Sequence, residues 1–369
     1  MKKNSSPSPV SELWQERHPC LSAKAHQRYG RMHLPVAPVC NIQCRFCSRG
    51  ICKTGQRPGT AQQLLTPEQA AEKVEQALKL CPQLTVIGVA GPGDALASPH
   101  ALETFRLLQR RYPHLIFCLS TNGLLLWEKA EALAEAGVKS VTVTMNAVDE
   151  AILPRICSSV LYNGKRLTEE WGAKRLIYAQ IAGIRRAVRL GMSVKVNAVL
   201  VPGVNDKHIG EIAKVAAQSG ASFFNVIPLL PQNEFKDWRE PTCEEIEAAR
   251  AAAEAHLPVF RHCRRCRADA CGIPGGEDFA DQLYTSRVET FSHGCIFVRG
   301  KHYGMEGGDS QQRRRFYQPA FRTGSAISDL CVRCAAATIC PGGGAADSGD
   351  LQSTAASVVF IERESGGLV

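Results

Sequence analysis

The chain has 369 residues, of which 44% are hydrophobic and 21% are charged, and its formal net charge is +9. This is the composition of an ordinary globular protein with a sizeable core, and its length suggests about two domains or one large α/β barrel. The moderate positive charge does not by itself indicate nucleic acid. No apolar run approaches the ~20 residues of a membrane span, and residues Met1–Pro9 lack the apolar stretch of a signal peptide. We therefore expect a cytoplasmic protein.

Sixteen cysteines without an export signal indicate metal binding rather than disulfides. Cys40, Cys44 and Cys47 have CxxxCxxC spacing and directly follow the apolar residues 34–39. Three thiolates can hold three irons of a 4Fe-4S cluster, which leaves the fourth iron open to a small molecule. A zinc site or buried free thiols are the alternatives, but zinc sites usually pair CxxC with a second pair or with histidines.

Short apolar segments and amphipathic segments alternate from residue 34 to residue 256. Strands are predicted at 34–39, 84–90, 115–119, 140–145, 193–200 and 222–229, and helices at 66–80, 99–111, 127–136, 173–190, 206–219 and 244–256. A loop containing Cys157 and Gly164 follows the fourth strand. Six such units predict a parallel sheet, and a closed eight-stranded barrel would need two more. The predicted fold class is α/β: a partial (β/α)6 barrel with cysteine-containing N- and C-terminal extensions.

Polar residues and glycines follow the ends of the predicted strands. These are Cys40, Gly91–Asp94, Ser120–Asn122, Asn146 and Asn197. In barrels of this kind the chemistry lies at the C-terminal ends of the strands, so we expect these residues to share one site. For each of them, a strand-end cap or a turn is the alternative interpretation.

Further metal-capable residues flank the barrel pattern. His18, Cys20, His26 and His33 precede the cysteine motif, and a basic segment at 261–272 contains Cys263 and Cys266. Cys331, Cys334 and Cys340 form another cysteine run in the tail, which Cys295 could complete as a further cluster site. Four other cysteines before the tail are interpreted as buried thiols: Cys81, Cys157, Cys243 and Cys271.

The CxxxCxxC motif resembles that of the radical S-adenosylmethionine (SAM) superfamily. In that superfamily the open iron chelates SAM, and an electron from the cluster cleaves SAM to methionine and a 5′-deoxyadenosyl radical. A longer series resembles one family within it, the NifB maturases of the nitrogenase cofactor. The matching segments are HPC (18–20), RMH (31–33), VAP (36–38), CNIQC (40–44), RPG (57–59), AGPGD (90–94), CLSTNG (118–123), VTMNAVD (143–149), GIRRAV (183–188), KVN (195–197), PGVND (202–206), PL (228–229) and the segment 261–272.

The resemblance implies a radical SAM maturase that fuses two 4Fe-4S clusters and inserts a carbide from the SAM methyl group. The product is the eight-iron precursor of nitrogenase cofactors. One SAM donates its methyl group to a cluster sulfide, a second supplies the radical that abstracts hydrogen from that group, and an additional sulfur must be provided.

The resemblance also implies three sets of cluster ligands. The SAM cluster takes the catalytic cysteines Cys40, Cys44 and Cys47. One substrate cluster takes His33, Cys52 and Cys118, and the other takes Cys20, Cys263 and Cys266. The residues expected to bind SAM or to order cluster ligands are Gly91, Gly93, Asp94, Ser120, Asn122, Asn146 and Asn197.

We expect four segments: an N-terminal cluster-ligand segment (1–33), the radical SAM barrel (34–258), a CxxC segment (259–290) and a cysteine-containing tail (291–369). The expected partners are a cluster donor, an electron donor and a cofactor carrier or scaffold protein, without nucleic acid or membrane. Two alternatives remain. The tail favours another radical SAM maturase with auxiliary clusters, and the cysteines alone would also suit an iron–sulfur scaffold without catalysis.

Overall fold

The structure is a computed structural model that describes residues 14–284. The tail cysteines Cys295, Cys331, Cys334 and Cys340 lie outside the described residues, so the prediction of a further cluster there stays a prediction. Among residues 14–284 no helix is both long enough and apolar enough to cross a bilayer.

The described chain alternates strands and helices as the sequence predicts. The strands are β1 (Gly30–His33), β2 (Ile42–Cys44), β3 (Gly50–Ile51), β4 (Thr60–Ala61), β5 (Leu84–Val89), β6 (Ile116–Thr121), β7 (Val138–Thr144), β8 (Cys157–Tyr162), β9 (Lys165–Leu167), β10 (Ser193–Leu200), β11 (Phe223–Pro228) and β12 (Cys271–Gly272). The helices are α1 (Ala23–His26), α2 (Pro67–Leu80), α3 (His100–Arg111), α4 (Leu126–Glu135), α5 (Glu169–Arg189), α6 (Ile209–Gln218), α7 (Cys243–Glu254) and α8 (Ala280–Tyr284).

Six parallel strands form the main sheet, in the order β11-β10-β7-β6-β5-β1. β12 adds an antiparallel seventh strand beside β1 through the pairs Arg31↔Gly272 and Met32↔Cys271. Helices α2 to α6 connect or follow the strands of this sheet. The arrangement confirms a partial (β/α)6 barrel. It also shows that the segment after residue 258 returns to the first strand.

The predicted first strand was placed too late in the sequence. The strand is Gly30–His33, and Met32 pairs with Ile87 of β5. Residues 34–39 lie outside the strand, although the Leu34 N–H still donates to the Gly88 carbonyl of β5 at 2.8 Å. Pro35 and Pro38 have no N–H to give to a ladder, and Ala37 makes only an isolated bridge with Pro92. His33 is therefore the last residue of a barrel strand.

The loop predicted around Cys157 and Gly164 is instead a β-hairpin. Strands β8 and β9 pair antiparallel, and β8 also pairs with β2 in a separate three-stranded sheet. Val160 and Leu176 belong to one buried cluster, which packs this hairpin on α5. Strand β9 has only three residues, and β8 lacks a regular alternation of apolar and polar residues, so neither was recognised in the sequence.

Helix α2 shows why its predicted boundaries are accurate, whereas α5 begins at Glu169, four residues before its predicted start at residue 173. Thr66 accepts a hydrogen bond from the backbone of Gln69, and the Gln69 side chain accepts one from the Thr66 N–H. Pro67 occupies the first helical position, where its missing N–H costs nothing. Thr242 and Glu245 form the same capping box at the start of α7.

The two faces of the main sheet differ in polarity. Ile87, Val141 and Val196 are buried on the face covered by helices. The opposite, inner face includes Cys118, Ser140, Thr142, Lys195 and Asn197, which are related by strand register. The half-barrel thus encloses a polar interior, which suits a bound polar group rather than an apolar core.

Candidate active site

The three cysteines of the motif lie in the chain that follows β1. Cys44 ends β2, and the Cys47 N–H donates a hydrogen bond to the Cys44 carbonyl at 3.1 Å. All three are free thiols of intermediate exposure. Desolvation raises the pKa of Cys40 to about 11 and also raises the pKa of Cys47. A coordinated cation would reverse this preference for the thiol form.

Cys157 contacts the motif, which the sequence does not predict. It is buried as expected, but it lies directly opposite Cys44 across the β2–β8 pair. The hydrogen bond between the two thiols, together with burial, raises the pKa of Cys44. Cys81 and Cys271 are also buried free thiols, whereas Cys243 is exposed at the start of α7, so its interpretation as buried is wrong.

Arg49 supplies a positive charge beside the motif. Its guanidinium donates hydrogen bonds to the Ile42 carbonyl at 3.1 Å and to Gln43 Oε1 at 2.8 Å. It also lies within electrostatic reach of all three motif thiols and hydrogen-bonds Cys40. Arg49 can therefore stabilise thiolates at this site.

The loop Gly91–Asp94 supports the chain that leads into Cys40. The Gly93 N–H donates to the Ala37 carbonyl at 2.7 Å, and the Asp94 N–H donates to the Val39 carbonyl at 2.8 Å. A Cβ atom at Gly93 would lie 2.0 Å from the Val39 carbonyl oxygen. Gly91 has φ +129°, a conformation that favours glycine. Both glycines are thus explained by backbone approach and conformation.

The Asp94 carboxylate is buried and fully occupied by hydrogen bonds from protein donors. It accepts from the Leu96 N–H, the Thr121 hydroxyl and the Asn122 N–H, at distances of 2.5–3.0 Å. Burial raises its pKa, but three donors favour the ionised form. Asp94 therefore joins the end of β5 to the end of β6.

Asn122 links the end of β6 to the motif. Its Nδ2 donates to Asn41 Oδ1 at 2.6 Å and lies 3.8 Å from Cys40 Sγ. Its Oδ1 accepts from the Leu124 N–H at 2.9 Å. Ser120, one residue before Thr121 on β6, is partly exposed on the inner face.

Two other predicted polar residues have different surroundings. Asn146 is buried, and its Oδ1 accepts from the Val199 N–H at 2.9 Å, which ties the end of β7 to β10. Asn205, which the sequence analysis did not assign to the site, completes this tie by donating to the carbonyls of Asn146 and Val199. Asn197 is partly exposed on the inner face, where it accepts from Asn225 Nδ2 at 3.1 Å.

His33 and Cys118 meet across the sheet on either side of Gly88. The register pairs His33 with Gly88 and Gly88 with Cys118, so the three residues form one row over β1, β5 and β6. A Cβ atom at Gly88 would lie 3.0 Å from Cys118 Sγ and 3.2 Å from His33 Cδ2. Glycine at this position therefore leaves room between the two potential ligands.

The hydrogen bond of His33 leaves one ring nitrogen available for a metal. Its Nδ1 lies 2.9 Å from the Arg267 carbonyl oxygen. Because a carbonyl only accepts, Nδ1 carries the proton and Nε2 keeps its lone pair. Burial lowers the pKa of His33 to about 4, so the imidazole is neutral at neutral pH. This pairing of one nitrogen with a carbonyl is typical of metal-ligating histidines.

Arg267 is the main residue that sequence reasoning missed. It is buried and forms a bidentate ion pair with the fully buried Asp269. The same guanidinium donates to the Cys52 carbonyl at 3.0 Å and to the Gly55 carbonyl. Arg267 thus connects the buried Cys52 to His33, whose imidazole bonds its backbone. Its position in a basic, cysteine-containing segment was the only signal.

Cys20 and the late CxxC pair come together although they lie at opposite ends of the described chain. Cys20 is within electrostatic reach of Cys263, Cys266 and Arg31, and burial raises its pKa. Arg31 Nη2 donates to Cys266 Sγ at 3.2 Å, while Nη1 donates to the Gly272 carbonyl at 2.7 Å. The antiparallel pairing of β12 with β1 therefore carries the CxxC segment to the site.

No three His, Cys, Asp or Glu side chains within residues 14–284 converge closely enough to hold a single metal ion. The ligands of a 4Fe-4S cluster do not need to converge in this way, because each of them binds a different iron. A groove of about 1220 Å³ in this part of the protein is lined by residues such as Arg45, Asp149 and Trp238 and by none of the nine predicted ligands.

Comparison with known proteins identifies the family. The Radical SAM superfamily model matches residues 34–216. The FeMo cofactor biosynthesis protein NifB of Methanocaldococcus infernus is 44% identical over 272 residues, which cover 73% of this chain and 90% of that protein. The chain belongs to the NifB family of FeMo cofactor biosynthesis proteins. The NifB of Azotobacter vinelandii is 41% identical over 74% of this chain, which spans only 56% of that longer relative. A solved radical SAM methyltransferase from Sphaerobacter thermophilus is more distant, at 21% identity over 60% of this chain and 64% of that one, with a TM-score of 0.42.

Membership of the radical SAM superfamily implies a 4Fe-4S cluster and SAM as cofactors. The three cysteines of the motif suit such a cluster. Cys40, Cys44 and Cys47 are free thiols, and the positively charged Arg49 guanidinium lies near them. Asn122 and the loop Gly91–Asp94 order the chain around Cys40. The protein is a radical SAM enzyme whose motif cysteines can hold the SAM cluster.

Proposed function

We propose that the protein fuses two 4Fe-4S clusters and inserts a SAM-derived carbide to form the eight-iron precursor of the nitrogenase cofactor. The observation that carries this proposal is the proximity of two ligand sets. His33, from the set with Cys52 and Cys118, hydrogen-bonds the carbonyl of Arg267 at 2.9 Å, and Arg267 directly follows Cys266, from the set with Cys20 and Cys263. Cys118 also lies within electrostatic reach of Cys20. Two clusters held by these sets would lie side by side in the polar interior.

The protein's residues divide into binding and positioning roles. Cys40, Cys44 and Cys47 bind the SAM cluster, which supplies the electron for SAM cleavage when bound. Gly91, Gly93, Ser120 and Asn197 line or approach the space for SAM at the strand ends. Asp94, Asn122 and Asn146 order that site, because their side chains already bond the backbone.

The two substrate clusters use the remaining ligands. His33, Cys52 and Cys118 hold one cluster, and Cys20, Cys263 and Cys266 hold the other. Neutral imidazole is a weaker ligand for iron than thiolate, so His33 is suited to releasing a cluster for fusion. The reaction also requires an iron–sulfur cluster donor, an electron donor, a sulfur source and a carrier or scaffold protein for the product.

The test is anaerobic reconstitution with iron and sulfide, followed by SAM and a reductant. Three products are measured: 5′-deoxyadenosine, S-adenosylhomocysteine and a methyl-derived label retained in an acid-labile iron cluster. All three are expected. Formation of 5′-deoxyadenosine without the other two products would contradict the proposal and indicate another kind of radical SAM maturase. Full cluster loading without SAM cleavage would indicate a scaffold.

A further inference from the structure

Lys195 places a buried positive charge on the inner face of the half-barrel. It lies on β10, where register pairs it with Thr142 and Phe223, and it is only 6% exposed. Its Nζ donates to the Cys20 carbonyl at 3.2 Å and lies 5.3 Å from the centre of the Phe260 ring. Within the part of the chain that the structure describes, it forms no ion pair with a carboxylate.

These contacts neither neutralise the positive charge of Lys195 nor use all of its N–H donors. An ammonium has three N–H donors. Among residues 14–284, the Lys195 ammonium has one hydrogen-bond acceptor, the Cys20 carbonyl. A buried charge is normally paired with an opposite charge. The position therefore implies an anionic or strongly accepting group in the interior.

His18 is a second buried donor without an acceptor near Cys20. Its Nδ1 accepts the Cys20 N–H at 3.1 Å, so the proton of the neutral ring is on Nε2. That Nε2 is buried without a hydrogen-bond partner among residues 14–284. His18 and Lys195 lie within electrostatic reach of each other. His18 Nε2–H and the remaining N–H groups of Lys195 thus have no acceptor in this region of the described chain.

The location of Lys195 identifies the missing group. Lys195 is within electrostatic reach of Cys20 from one ligand set and of His33 and Cys118 from the other. A doubly positive 4Fe-4S core bound by the thiolates of Cys20, Cys263 and Cys266 carries a net negative charge, whereas a core bound by Cys52, Cys118 and neutral His33 carries none. The sulfides of both cores accept hydrogen bonds. The first core fits the charge, and both cores fit the donors.

We propose that Lys195 donates its N–H groups to the sulfides of both substrate clusters and is the counter-charge of the anionic cluster at Cys20, Cys263 and Cys266, which holds the clusters side by side for fusion. This proposal rests on the proposed function, because it requires substrate clusters at both ligand sets. Lys195 is a positioning residue: it binds the substrate through charge and hydrogen bonds and forms no bond to iron.

The experiment uses the full chain, reconstituted anaerobically with iron and sulfide. The variants are Lys195→Met, which removes the charge at similar volume, and Lys195→Arg, which keeps it. Lys139→Met is the matched control, because Lys139 is an exposed lysine on β7 of the same sheet. Iron per chain, the rate of iron removal by a chelator and the midpoint potentials of the clusters are measured, together with the melting temperature of each apo variant.

We expect wild-type and Lys139→Met protein to hold roughly twelve irons, corresponding to three clusters. In Lys195→Met, chelator should remove the irons of the substrate clusters at least about tenfold faster, as is typical when an outer-shell partner is lost. The potentials of these clusters should fall, because a nearby positive charge favours the reduced state. The SAM cluster should load normally, and Lys195→Arg should restore most of the retention.

The melting temperature separates this role from a structural one. Replacing an unpaired buried ammonium by an apolar side chain should leave the apo protein at least as stable as wild type. A stable Lys195→Met protein with unchanged iron content, release rate and potentials would overturn the role of Lys195 alone. A wild-type chain that holds only about four irons would overturn the proposed function, and the role of Lys195 with it.

Discussion

The two ligand regions of the half-barrel are built in different ways. Cys40, Cys44 and Cys47 come from one short stretch, and neighbouring strand-end loops order it through Gly93 and Asn122. The proposed substrate-cluster ligands come from five separate places in the chain, and the buried side chains of Arg31 and Arg267 hydrogen-bond two of them, Cys266 and Cys52. The first region depends on local spacing, whereas the second depends on the fold as a whole.

The sharpest test of the local region compares two cysteines that face each other. Cys44→Ala should abolish 5′-deoxyadenosine formation, because one iron of the SAM cluster loses its ligand. Cys157→Ala removes the thiol opposite Cys44 and should retain the cluster and SAM cleavage. Iron content and deoxyadenosine are measured for both. Loss of SAM cleavage in Cys157→Ala alone would mean that Cys157, not Cys44, is the ligand.

Arg267→Met tests how far the second region depends on one buried ion pair. It leaves the fully buried Asp269 without its partner, which should lower the free energy of unfolding of the apo protein by about 3–5 kcal/mol. Urea unfolding measures this change.

The double variant Arg267→Met/Asp269→Leu is the control for that prediction. Removing both charges should recover part of the lost stability, because no unpaired carboxylate remains. It should not restore the iron bound through Cys52 and His33, since Arg267 also orders that chain. Recovered iron would contradict a positioning role for Arg267.

Gly93→Ala tests the support of the local region by its neighbouring loop. The added Cβ would lie 2.0 Å from the Val39 oxygen, so the chain before Cys40 must shift. We expect a loss of about 1–3 kcal/mol in unfolding free energy and a marked loss of SAM cleavage. Gly210→Ala is the control, because its Cβ would make ordinary contacts of 3.5 Å or more with Ala252. Equal behaviour of the two variants would refute the packing argument.

His33→Cys is expected to have the smallest structural effect. A thiolate can replace the imidazole as an iron ligand, so the iron content should be unchanged, while the tighter bond should slow cluster release and lower the product yield. Retained label per SAM consumed measures the yield. Full yield in this variant would remove the argument that a weak ligand is needed at this position.

The regular elements of the barrel and the cysteine motif could be predicted from local sequence patterns. Helix α2 has its cap, its first-turn proline and its apolar spacing within a few residues, so its limits were predicted correctly. The predicted position of the first strand was wrong, because an apolar run with two prolines looks like a strand until its pairing partners are known. The motif needed no tertiary information, since its three cysteines lie within one short stretch of the sequence, Cys40 to Cys47.

The contacts between distant side chains could not be predicted in this way, because they depend on how the strands pair. The row His33–Gly88–Cys118 depends on the register of three strands, and the approach of Cys266 to Arg31 depends on the return of β12 to β1. Arg267 and Lys195 look like ordinary surface residues in the sequence, where most such charges are solvated. Their burial beside the predicted ligands gives them their roles, because a charge removed from water must find a partner inside the protein.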